Sequence, residues 1–244
     1  MAESSPFLFL GIIIFWISFQ FIIIGKYSPV IAHDNISVIP YFLAFTADDL
    51  PIASWTPFPA TGTDMLATGY ANLIYKAAFS LLPSWAAYQL LIILHIAAGV
   101  IGVYGLSRKV LGLDQITSIF AGFAYGALYL REFFFLTSTV GYLPLTILAL
   151  SYLLDNKHSS KCWAGVILAG FLISHASFAS RLIPWPAAAY ILWFFLVERR
   201  RRRLDWAIIA LFTLAIIAAR WDEIIALFAY SQQSGLSESR GGGT

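Results

Sequence analysis

Residues 6–24 read PFLFLGIIIFWISFQFIII, a run without a single charge. An α-helix rises 1.5 Å per residue, so this run is about 28 Å long, close to the ~30 Å hydrocarbon core of a bilayer. The same bias extends along the chain. Of its 244 residues 59% are hydrophobic and 16% aromatic, while only 11% are charged. Soluble domains carry about a quarter charged residues, so this chain has too few charges to solvate a globular surface. The charges are also clumped, with Arg199 to Arg203 in one block. The sequence therefore predicts an all-α, polytopic transmembrane helix bundle.

Outward from the first run, apolar stretches alternate with polar stops. The second span is read as Ser84 to Leu106, stopped by Arg108 and Lys109. The third is Ile116 to Leu130, before Arg131 and Glu132, and the fourth Val140 to Leu154, before the polar turn Asp155 to Lys161. The fifth is Cys162 to Phe178, the sixth Trp185 to Val197, and the seventh Trp206 to Ala219. That makes about seven crossings at the length a bilayer demands. Between the first two lies a long loop, residues 27–83. Its apolar patch Ile36 to Phe45 is too short to span and is broken by Pro40, and Tyr70 to Leu82 ends at Pro83. Both read as interfacial half-helices. Residues 1–230 form one transmembrane domain, and Ser/Gly-rich residues 231–244 read as a flexible tail.

Basic residues stay on the cytoplasmic side of a membrane. With the N-terminus inside, Arg108, Lys109, Lys157, Lys161 and Arg199 to Arg203 all fall in cytoplasmic loops. The loop carrying Asp34, Asp48, Asp49 and Asp64 then faces the exterior. The N-terminus lacks a basic leader region and an A-x-A-like cleavage site, so the first run reads as a retained helix. A net charge of +2, with a third of the basic residues in one loop, argues against nucleic acid as a partner. Cys162 is the only cysteine, which excludes an internal disulfide or a cysteine-based metal site. Membrane lipid is the partner this composition requires.

The residues that could carry chemistry sit mostly beside the outer face. His33-Asp34-Asn35 follows the first span, with Ile39-Pro40-Tyr41-Phe42 close behind. A carboxylate near the membrane face can act as a general base or help hold a divalent cation, the one cofactor these residues suggest. Asp34 is equally placed to cap a helix beginning near Ile36. Asp48, Asp49 and Asp64 can contribute acceptor contacts or cation ligands, or be solvated loop acids. Arg131, Arg181 and Arg220 fall near span ends, where an arginine grips phosphate with parallel hydrogen bonds or snorkels to the interface. His95 and His175 lie inside spans, where ionisable residues are functional candidates. His175 is the better one, grouped with Ser177, Ser180 and Arg181. No His or Cys spacing suits a metal site.

The order of these features resembles the C-type (GT-C) glycosyltransferase superfamily, and most of all its YfhO-like bacterial membrane proteins. There a first helix is followed by a Gly-Asp-Ser-like motif and an aromatic Pro-Tyr/Phe segment, places held here by His33-Asp34-Asn35 and Ile39-Pro40-Tyr41-Phe42. Trp55-Thr56-Pro57, Gly62-Thr63-Asp64, Leu81-Leu82-Pro83, Gly99 to Arg108 and Ala121 to Gly126 continue the likeness, which covers roughly Phe7 to Tyr152. His33 stands where the family has a small residue.

The resemblance implies sugar transfer from a polyprenyl-phosphate donor to an acceptor on the outer face of the bacterial inner (plasma) membrane. Asp34 would be the catalytic base, and His33, Asp64, Arg131, Arg181 and His175 would bind substrate. Family members carry further spans, so the chain is expected to be the N-terminal part of a longer protein. The competing expectation is a non-catalytic structural subunit, a degenerate transferase scaffold among other membrane protein subunits. A transporter is disfavoured, because no pair of Gly/Pro-broken segments recurs in two matching halves.

Overall fold

A computed structural model describes residues 5–25, 55–56, 63–64, 73–131, 138–155, 159–176, 190–199, 203–221 and 225. The fold is all-α. Helix α1 is Pro6–Ile24, α2 Leu73–Leu81, α3 Ser84–Lys109, α4 Gln115–Arg131, α5 Ser138–Asp155, α6 Ser160–Ala176 and α7 Arg203–Ala219. A π-helical turn, Trp193–Val197, precedes α7. The strands among the described residues form a minimal antiparallel ladder of β1 (Trp55–Thr56) and β2 (Thr63–Asp64). It pairs Trp55 with Asp64 and Thr56 with Thr63. The expected half-helix at Ile36 to Phe45 and the tail from residue 231 lie outside the described residues.

Proline, glycine and capping residues set the helix ends. Pro6 opens α1, where its missing N–H is no loss. Gly25, at φ 57, closes it in a conformation that suits glycine. The side-chain amide of Gln89 on α3 donates to the carbonyls of Phe21, at 2.6 Å, and Gly25, at 2.8 Å. The Phe21 carbonyl already accepts from the Gly25 N–H, so Gln89 gives it a second donor and ties the close of α1 to α3. Helix α3 continues three residues beyond the expected stop at Leu106, taking in Ser107, Arg108 and Lys109. It then turns through Gly112, at φ 67, while Arg108 donates to the Leu113 carbonyl at 2.7 Å.

Asp114 starts α4. Its carboxylate accepts from the backbone N–H groups of Ile116 and Thr117 at 2.9 and 3.0 Å, and from the Thr117 hydroxyl at 2.5 Å. These hydrogen bonds, that of the Thr117 hydroxyl foremost, hold the Asp114 carboxyl below its ordinary value.

Helix α3 is the axis of the packing, touched by α1, α2, α4 and α5, with α6 on α5 and α7 on α6. Leu10, Ile17 and Phe21 of α1 meet Tyr88, Leu91, Ile92 and Ile96 of α3 in one core. A second core joins Leu106 to Leu150 and Leu154 of α5, Val166 of α6, and Phe212 and Ile216 of α7. Glycine permits the closest approaches. A β-carbon on Gly102 would lie 2.2 Å from the Leu145 nitrogen and 2.6 Å from the Pro144 carbonyl carbon, so α3 and α5 touch backbone to backbone. Pro144 sits inside α5 and donates no N–H to the helix ladder at that point.

The outer faces are as apolar as the cores. Trp16 of α1, Phe120 and Leu128 of α4, Leu168 of α6 and Leu214 of α7 are all exposed. Helices that are hydrophobic all round suit either a large protein core or a bilayer. By length and composition, Pro6–Ile24 and Trp85–Lys109 can cross a membrane, whereas Gly141–Asp155, Ser160–Ser174 and Asp205–Ala219 are apolar but shorter.

Two outcomes follow. Gly102→Ala lowers stability by about 3 kcal/mol, because the facing atoms are backbone and cannot rotate away. Gly11→Ala, with nothing within 4 Å, leaves it unchanged or slightly raised. Thermal unfolding in detergent compares them, and equal midpoints would refute the backbone contact. The Asp114 cap gives a pH signature. Its folded-state pKa is depressed, so its stabilisation is present above the ordinary value of 3.8 and is lost as pH falls through the lower folded value. Asn also caps well, so Asp114→Asn should be stable yet lack this acid-side loss of melting temperature.

Candidate functional site

The helix directions bring six described ends to one side of the bundle. The Gln89 bonds tie the start of α3 to the close of α1. A β-carbon on Gly99 of α3 would meet both the Tyr125 ring of α4 and the Gly141 carbonyl of α5. The end of α7 lies on the end of α6, because Arg220 bonds to Ser174. The finishing ends of α1, α4, α6 and α7 therefore face the same way as the starting ends of α3 and α5.

Three basic or titratable residues of the sequence reading belong to this end. Arg131 is the last residue of α4, and His175 immediately follows Ser174 near the close of α6. Arg220 follows α7. Asp64 lies on β2 opposite Trp55, which makes two of the short motifs register partners. His33, Asp34 and Arg181 lie outside the described residues, as do Asp48, Asp49 and Glu132.

Arg220 corrects the interfacial snorkelling weighed from its position. It is only 1% exposed. Its Nε and one terminal guanidinium nitrogen donate to the Ser174 carbonyl at 3.0 and 2.5 Å. That carbonyl lies in the last turn of α6, where helical N–H partners run out and the helix dipole is negative. The Ser174 hydroxyl meanwhile donates to the Gly170 carbonyl of its own helix at 2.9 Å. It also approaches the Ile216 carbonyl of α7 at 3.4 Å. Arg220 is thus a cap delivered from a neighbouring helix, and it fixes a positive charge beneath this end of the bundle.

His95 is fully buried and stands edge-on to the Tyr142 ring, with centroids 4.5 Å apart. Tyr142 also lines a cavity of about 290 Å³ between α2, α5 and α6, with Ile74, Thr146, Leu172 and Ile173. Its wall is largely apolar, and the Thr146 hydroxyl is turned onto the Tyr142 carbonyl at 2.9 Å. The arrangement suits packing better than proton transfer.

The opposite end is held by polar contacts that the sequence did not reveal. Lys109 pairs with Asp155 at 2.6 Å while lying 4.0 Å above the Tyr152 ring centroid, which joins α3 to α5. Glu198, just past the π turn, accepts from the Ser151 hydroxyl and from the Trp193 indole N–H. In the sequence Glu198 is hidden beside five arginines, and only its capacity as a helix-end acceptor could have marked it. Gln89 was likewise unmarked, being one amide in an apolar span. Asp205, buried in the first turn of α7, sits where the helix dipole favours a negative charge.

Among the described residues no group of three His, Cys, Asp or Glu side chains stands together to hold a metal ion. No protein family, curated protein or solved structure matches the chain.

Replacing Arg220 by Leu should destabilise the bundle by about 1–3 kcal/mol, since it orphans a buried helix-end carbonyl. Lys at this position should recover part of the loss through a single contact. Chemical unfolding in detergent reads both, and a Leu variant as stable as the parent would remove the capping role.

Proposed function

We propose that this chain is a multi-pass protein of the bacterial inner membrane with about seven crossings, its N-terminus cytoplasmic and the loop of residues 27–83 external. We propose that it transfers a sugar from a polyprenyl-phosphate donor to an acceptor at the external face. The observation that carries this reading is the gathering of Arg131, His175 and Arg220 at the bundle end where α1 finishes. Asp34 follows Gly25 by nine residues, a reach of at most about 30 Å. Asp34 is therefore within chain reach of the end that carries Arg131 and Arg220.

The chemistry divides between them. The Asp34 carboxylate takes the proton of the acceptor hydroxyl as its oxygen attacks the anomeric carbon of the sugar. The bond from that carbon to the phosphate oxygen breaks, and polyprenyl phosphate leaves with the bonding electron pair. Arg131, and Arg181 from its external position in the sequence, supply positive charge for the departing phosphate. Buried Arg220 adds a fixed field from below. Asp48, Asp49 and Asp64 are the acids available to a divalent cation, and no step above depends on one.

A second reading, a non-catalytic scaffold subunit, is favoured by one observation: the Arg220 guanidinium is engaged by the backbone of α6. Transfer assays separate the two. With radiolabelled polyprenyl-phosphate sugar and the full chain in detergent, Asp34→Asn should lower turnover by at least about 100-fold while melting stays unchanged. Undiminished turnover would remove Asp34 from the mechanism. Absence of transfer by the parent chain across sugar donors would leave the scaffold reading.

A further inference from the structure

Helix α1 carries two stripes. Leu10, Ile17 and Phe21 are buried against α3 and its neighbours. On another flank Phe9, Trp16, Gln20 and Ile23 succeed one another at steps of seven, four and three, the spacing of a coiled-coil seam. This second stripe is open: Phe9 is 44%, Trp16 71% and Ile23 66% exposed, and Gln20 is exposed with them. Lipid tails account for the three apolar side chains. They do not account for Gln20.

The Gln20 carboxamide forms no hydrogen bond among the described residues. In hydrocarbon an unsatisfied amide costs several kcal/mol. Gln20 lies four residues inside the end of α1, about 6 Å along the axis. Helical side chains tilt toward the N-terminus, which here means deeper into the span and away from that end. The amide therefore needs a polar partner at its own depth.

We propose that the Phe9–Trp16–Gln20–Ile23 face of α1 is a homodimer interface, occupied by the same face of a second copy of this chain. Two copies inserted with one topology are related by a twofold axis along the membrane normal, so their α1 helices run parallel. Every residue on the axis-facing seam then meets its own counterpart at equal depth. A carboxamide both donates and accepts, so Gln20 and its symmetry mate satisfy each other reciprocally. An unrelated helix would have to supply a matching polar group at that depth, whereas a second copy supplies it by symmetry. A single polar residue in an apolar seam also sets register and partner number. Beside the seam, Trp16 and Gln20 of α1 with Phe123 and Ala127 of α4 border a recess of about 310 Å³, room for an aromatic side chain of the partner.

The proposal rests on α1 crossing the bilayer, part of the reading above, and not on sugar transfer. The test uses the full chain in native membranes, with Cys162→Ser removing the only cysteine. Under a mild oxidant, Gln20→Cys and Trp16→Cys should give a disulfide-linked species of twice the mass. Ile22→Cys, at similar depth on another flank, should not. Gln20→Leu in the parent chain should weaken self-association in bilayers about three- to twentyfold by energy transfer between labelled copies. Monomers alone, equal cross-linking at Ile22, cross-links to other proteins only, or unchanged association of Gln20→Leu would each overturn the interface. Alkaline carbonate extraction of the same membranes separates the causes. A chain released to the soluble fraction defeats the membrane reading and the dimer together, and a retained monomer defeats the dimer alone.

Discussion

Helices whose outer faces are as greasy as their inner ones gain little from hiding side chains from each other, and in lipid that driving force vanishes. Contact must then come from close approach, which side chains obstruct. Helix α3 solves this with glycine at residues 99, 102 and 105, while Gly141 on α5 admits His95 and Gly122 and Gly126 on α4 admit Val100. At Gly102 the two backbones nearly touch, beside Pro144. Four other helices are placed by how they lie against α3, and that approach sets where Gln89 meets the close of α1 and where Lys109 meets Asp155.

The second constraint is the polar debris of helix termini. Each helix ends in carbonyls or begins in N–H groups with no partner inside it. Here side chains serve several of them: Gln89 and Arg220, from far along the chain, the ends of α1 and α6, and Asp114, from the position just before it, the start of α4. These contacts are specific in a way apolar packing is not, since each requires one donor at one place. They lock helix register and bind neighbouring elements. Arg220 shows the consequence: a charge that could face outward from a helix end is instead drawn inside as part of the frame.

Much of the helical frame was legible. Residues 6–24 coincide with α1, and the readings for α4 and α5 fall within a residue or two of the helices. Pro, Gly and charged stops mark helix ends by local chemistry alone. The miss at α3 is instructive. Arg108 and Lys109 look like a stop in the sequence, yet the helix continues through both, because Arg108 caps a loop carbonyl and Lys109 is neutralised by Asp155. Of the candidate site, the sequence marked Arg131 and His175, and the helix directions bring them to one end. It had no means of separating Arg220, which is buried, from arginines at an interface.

Sequence alone determined that the chain is helical, where its main helices run and that they are too apolar for an ordinary soluble domain, because those properties depend on local composition and on neighbours along the chain. Tertiary structure decided which glycines are contact points, that Gln89, Glu198 and Arg220 serve elements far from them in sequence, and which flank of α1 is left open with Gln20 on it. Those outcomes depend on which helix lies beside which, and hydrophobic periodicity cannot say so when every face is apolar.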